Sequence, residues 1–246
     1  MIRATLWALA AVLLSAVSAV AQVGQIAVAV QPAPSGGGQP WTLVASTEQP
    51  ATGASTVTTG AVNMSSANTL IVAVSYYSAR GTVTDSSGNT YSVAVDGGLG
   101  AGNNSCAIFY KLGASVSSSM TFTYTGSGYS PILVEGWKSS GGSGVGALDQ
   151  TNSAVSTGQW PMSAGSVTPT ANNELIFSAV EGASSSGSPT VPGLTVDQVQ
   201  QFVAGNSYSG ADGYLAQTTV AAVDPSWSWP STSMNCAAVA TFKPHS

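Results

Sequence analysis

Leu70-Ile71-Val72-Ala73-Val74-Ser75-Tyr76-Tyr77 is a nearly continuous apolar run of strand length, too short for a typical helix and rich in β-branched residues. It predicts a central strand. Alternating segments surround it. Ser55 to Met64 is a Thr/Val strand, and Val83-Thr84-Asp85-Ser86-Ser87-Gly88-Asn89-Thr90-Tyr91 reads as a hairpin whose Ser-Gly-Asn turn tolerates positive φ. Ala107 to Leu112 is the next strand. Met120, Phe122 and Tyr124 alternate with threonines, giving one aromatic and one polar face, and Ile132 to Lys138 closes the unit. No helical periodicity appears from Trp41 onward. The expected class is all-β.

The block Gly60–Lys138 recurs in degraded form when 105 is added to each number without a gap. Gly60 meets Gly165, Asn68 meets Asn173, and Leu70-Ile71 meets Leu175-Ile176. Gly88 meets Gly193, Phe122 and Tyr124 meet Trp227 and Trp229, and Trp137-Lys138 meets Phe242-Lys243. A fixed period of this kind implies repeated units, each too small to bury its own apolar face. Two such halves, about 55–138 and about 160–243, would shield each other as the sheets of one jelly-roll-like β-sandwich over residues 41–246. Two separate small sandwiches are the other arrangement. Ser139 to Gly146 is the joint in either case.

The Val83–Tyr91 hairpin, with Leu70-Ile71-Val72 before it and Val134-Glu135-Gly136-Trp137 after it, resembles jelly-roll or Ig-like β-sandwich domains of secreted bacterial proteins of unassigned function. The resemblance covers most of residues 55–243. The second half departs from it at Ser188-Pro189-Thr190-Val191-Pro192-Gly193-Leu194-Thr195. It implies a fold and supplies no catalytic residue.

Upstream of this body, Met1-Ile2-Arg3, the apolar run Leu6–Val17 and the small residues Ala19-Val20-Ala21 follow the plan of a secretory signal peptide over residues 1–21. The run falls short of the ~20 residues of a membrane span, so no span is expected in the mature chain. In residues 22–40, Ile26, Val28 and Val30 alternate as in a strand, and Gln31–Pro40 is a Pro/Gly linker. Residues 23–30 form either a mobile terminus or an arm that adds itself to a sheet edge of a second copy.

Composition narrows the function. Of 246 residues, 6% are charged and 43% are hydrophobic, with a formal net charge of -5. The chain lacks both the basic footprint of nucleic-acid binding and the high charge of disorder. Its only histidine, His245, leaves a Ser-His-Asp arrangement without a well-placed base and a His-ligated metal without a second histidine. No cofactor, metal or catalytic set is therefore expected. Glycoside cleavage would need two opposed acids, and Glu135 and Glu181 are the strand acids that could be buried. The Asp85–Asn89 loop carries one acid where a calcium loop wants several, so it reads as a side-chain-capped turn.

Trp227 and Trp229 share a strand face. Because Phe122 and Tyr124 hold the matching positions in the first half, the pair reads first as core filling; with Trp160, Tyr76 and Tyr77 it is otherwise the candidate set for stacking on sugar rings. Cys106 and Cys236, in an exported chain, predict a disulfide closing a loop of about 130 residues. The expectation is a non-catalytic, exported structural or adhesive protein of the cell surface or matrix, with self-assembly as the added option if residues 23–30 are an arm rather than a mobile terminus. A carbohydrate-binding module acting on extracellular polysaccharide is the alternative, and a glycoside hydrolase stands behind both.

Overall fold

The computed structural model describes residues 40–98, 104–140, 146–156, 158, 160–205, 208–230 and 235–245, without the side chains of 104 and 235. The signal peptide and the arm at 23–30 lie outside the described residues. Fifteen strands and no helix appear among those described.

Two five-stranded antiparallel sheets form the body. The first has the order β1-β8-β3-β6-β5, from Trp41–Gln49 (β1), Thr69–Tyr77 (β3), Ser92–Asp96 (β5), Asn104–Leu112 (β6) and Ile132–Ser139 (β8). The second has the order β12-β13-β11-β15-β9, from Ala147–Ser156 (β9), Glu174–Gly182 (β11), Thr195–Gln200 (β12), Ser209–Gln217 (β13) and Asn235–Lys243 (β15). Thr56–Thr58 (β2), Thr82–Asp85 (β4) and Phe122–Thr125 (β7) form a three-stranded sheet, and Met162–Ser163 (β10) pairs with Ser226–Trp227 (β14).

Each large sheet is covered on both faces, so there are four layers rather than two. Ile71 and Ala73 of β3 meet Leu175, Phe177 and Ala179 of β11 in a central core between the large sheets. On the other face of β3, Leu70, Val72, Val74 and Tyr76 pack with Phe122 and Tyr124 of β7. Ile176 and Val180 of β11 likewise pack with Trp227 and Trp229. Burial on both faces is why β3 reads as a continuous apolar run. Each half has a small sandwich of its own, and the two are joined back to back. The two large sheets face each other across one core, and each carries a smaller sheet on its outer face.

The large sheets share one strand order: β9, β15, β11, β13 and β12 occupy the places of β1, β8, β3, β6 and β5. The gapless offset of 105 does not survive in every strand. Trp137 and Phe242 both reach the central core, as that offset requires, but Ile71 faces the centre while Ile176 faces outward. Thr69 pairs with Trp137 and Leu112, whereas Leu175 pairs with Phe242 and Ala216. Leu175 therefore stands in the place of Thr69, an offset of 106, and Ala216 in that of Leu112, an offset of 104. A one-residue slip turns every side chain to the opposite face, so register decides these correspondences where letter matching cannot. Strands β1 and β9 are sheet edges with half-exposed polar residues, which is why their alternation is weak in the sequence.

A disulfide joins Cys106 of β6 to Cys236 of β15 across the central core. It ties the two large sheets together at one end of their interface.

Candidate functional site

The far side of the same interface holds acids. On β8, Leu133, Glu135 and Trp137 share the face toward the second sheet. On β13, Asp212 and Tyr214 face back, and Asp197 comes from β12. One carboxylate oxygen each of Glu135, Asp197 and Asp212 lies within 4.8 Å of the others. Glu135 and Asp212 are fully buried and Asp197 is half-buried.

Neutral donors hold each carboxylate by one side. Trp137 Nε1 donates to Glu135 Oε2 at 2.6 Å, the Gln198 backbone N donates to Asp212 Oδ1 at 2.9 Å, and the Ser46 side chain hydrogen-bonds Asp197. The remaining oxygens, Glu135 Oε1, Asp197 Oδ2 and Asp212 Oδ2, are sealed from solvent and have no partner among the described residues. So is Oε1 of the buried Gln198. The Trp137 ring stands edge-on to Tyr214 at 4.7 Å and walls one side. Burial, and then the charges of Asp212 and Asp197, push the Glu135 carboxyl well above its ordinary range. Burial and the charge of Asp197 do the same to Asp212, and burial raises Asp197. Glu48 of β1 adds a further negative charge beside Asp197 and Asp212.

The fold does not require acids here. Matching the strands by register places Ala240 where Glu135 would fall in the other half, Ile108 opposite Asp212, and Ala94 opposite Asp197. Those three residues line the central core near the disulfide. One side of the interface is closed by aliphatic packing and a covalent bond. The other side carries carboxylates in the matching positions.

The remaining sequence candidates fall elsewhere. Trp227 and Trp229 are core residues at 0% and 1% exposure, with Nε1 donating to Ser178 Oγ and to Gly187 O, so they offer no sugar platform. Tyr76 is also buried, its hydroxyl bonded to Asp96. Trp160 is half-buried against the same core as Trp227. Tyr77 is exposed and, with Tyr129 and Tyr208, forms a surface cluster with ring centroids 6.2 Å and 5.9 Å from Tyr208.

Glu181 is fully buried in β11, directly opposite Cys236 in register, and neither of its oxygens has a partner among the described residues. His245 is buried, not loose, with its backbone N donating to Ser139 Oγ. Asp85 caps its turn as the sequence predicts. Oδ1 accepts from the Ser87 and Asn89 backbone, and Oδ2 accepts from Asn89 Nδ2 and Tyr91 OH. Gly88, at φ 77, takes the left-handed position in that turn.

Sequence reasoning singled out Glu135 but not its neighbours. Asp197 and Asp212 lie in the other half, and no spacing rule links strands separated by more than 60 residues. A signal did exist. Asp212 interrupts the small-residue run Ser209-Gly210-Ala211-Asp212-Gly213 in a chain that has only ten acids.

Comparison with known proteins adds no constraint: no protein-family model, no curated protein and no solved structure matches the chain.

Proposed function

We propose that the chain is a non-catalytic, exported β-sandwich protein with a structural or adhesive role at the cell surface or in the matrix, built from two halves of common origin. The observation that carries this reading is the placement of the groups offered for chemistry. Glu135, Asp212, Glu181, Trp227 and Trp229 are all internal, while the exterior is mostly small and polar. The shared strand order of the two large sheets supports the duplication, and the disulfide is compatible with export. Glycoside hydrolysis would use opposed acids, and Glu135 and Asp212 are close enough to be such a pair. Their complete burial leaves no face for a sugar.

Strands β1, β5, β9 and β12 are the edges that residues 23–30 of a second copy would extend. The test compares residues 22–246 with residues 41–246 by size exclusion and electron microscopy. Polymers formed by the longer chain alone support assembly through the arm. Equal behaviour of the two rejects the arm's role, and release of reducing sugar from polysaccharide by either rejects the non-catalytic reading.

A second reading has its own observation. Tyr77 and Tyr129, at 36% and 40% exposure, stand with Tyr208 on the surface, where aromatic faces can stack on sugars. A carbohydrate-binding role predicts that Tyr77→Ala combined with Tyr129→Ala abolishes retardation in affinity gels containing polysaccharide. Retardation that persists in the double variant removes this reading.

A further inference from the structure

Glu135, Asp197 and Asp212 are packed together with no basic partner among the described residues, so ionising them is costly unless a cation sits between them. The chain has five Lys and Arg residues. Among the described residues the ion pairs are Arg80–Asp96 and Lys243–Asp149, and neither includes the interface acids. Glu135 Oε1 and Asp212 Oδ2 belong to fully buried side chains and have no partner among the described residues, a costly arrangement if nothing else binds there. The opposite oxygen of each is held by a donor, which fixes the carboxylate's orientation, as outer-shell groups do around metal ligands. Register-matched positions in the other half are Ala240, Ile108 and Ala94, so the acids are not an architectural need.

We propose that Glu135, Asp197 and Asp212 bind one hard divalent cation of the calcium type between the two large sheets. The donor set is all oxygen, and both cysteines are committed to the disulfide, which disfavours softer metals. Calcium–oxygen bonds of about 2.3–2.6 Å let one ion bridge oxygens up to about 5 Å apart, and the three oxygens lie within 4.8 Å of one another. Oε1 of Gln198, next to Asp197 on β12, and Oε2 of Glu48 on β1 are further oxygens without a partner among the described residues. The ligands come from β8 of one sheet and from β12 and β13 of the other, so the ion joins the halves on the side away from the disulfide. The proposal stands apart from the function proposed above, because a binder or an enzyme could carry the same ion.

The test uses the whole exported chain, stripped with EDTA and dialysed. Terbium(III) serves as a luminescent probe, because the Trp137 indole touches Glu135 and would sensitise an ion held there. Expected are one terbium per chain, emission excited through tryptophan, displacement by calcium, and a melting temperature raised by about 5–10 °C at calcium near 100 times its Kd. Asp212→Asn and Glu135→Gln should each weaken calcium binding at least tenfold and remove the shift. Should either fail to fold, Asp197→Asn at the half-buried position makes the same test. Glu181→Gln should bind normally. A wild-type chain that binds no calcium and melts at one temperature with or without it overturns the proposal. So does calcium binding that is unchanged in Asp212→Asn or Asp197→Asn.

Discussion

Glu181→Gln is expected to flatten the fall of stability with rising pH. Glu181 has no solvent exposure and no hydrogen-bond partner among the described residues, and burial pushes its carboxyl well above the ordinary value of 4.5. Around it in register are Cys236, already in the disulfide, and Gly210. The Tyr208 phenol is raised first by its own burial and then by the charge of Glu181. The sign follows from proton counting. Below pH 4.5 both folded and unfolded chains hold the proton, and the stability contribution is fully present. Above it the unfolded chain releases the proton while the folded chain keeps it, so stability declines until the raised folded pKa is passed. One proton sets the maximum slope at about 1.4 kcal/mol per pH unit. For a body of about 200 residues that slope is roughly 3–5 °C in Tm per pH unit. Glutamine keeps the shape and removes the titration. Thermal melts at fixed ionic strength from about pH 4 to about pH 8 should give a difference between wild type and variant that is constant near the acid end and then changes in favour of the variant. Any constant offset from the buried amide is immaterial. Parallel curves across the whole range would refute the reasoning.

Two further outcomes are expected. Replacing Cys106 and Cys236 with serine opens a loop spanning 130 residues and should cost about 5 kcal/mol, lowering Tm by roughly 10–20 °C; a loss under about 1 kcal/mol in urea titrations would contradict the loop-closure account. Trp229→Ala should destabilise by about 3–5 kcal/mol in the same titrations, because a fully buried indole leaves a cavity; unchanged stability would return Trp229 to the surface.

The sequence exposed the strands whose faces differ or whose faces are both apolar. Leu70–Tyr76, Phe122/Tyr124 and Ile132–Trp137 were all legible, because side chains alternate with a period of two. The pair Trp227/Trp229 was legible as one face, and its match to Phe122/Tyr124 favoured an inner one, which the burial of both indoles bears out. A strand's own periodicity says which residues point together and leaves open which neighbour covers them. The edge strands β1 and β9 escaped because half-exposed strands lack a sharp contrast. The acids were half legible. Glu135 stood out inside an apolar strand, yet Asp197 and Asp212 reach it only through packing of two sheets.

Alone, the sequence determined an all-strand body, a candidate cysteine pair, the capped Asp85 turn and the scarcity of groups able to do chemistry. These depend on local backbone preference, on residue counts and on contacts within a few residues. Tertiary structure decided the four layers, the slipped register between the halves, the burial of Trp227 and Trp229, and the meeting of Glu135 with Asp197 and Asp212. Each depends on which faces come together across long separations, and a slip of one residue, invisible in the letters, reverses what a strand buries.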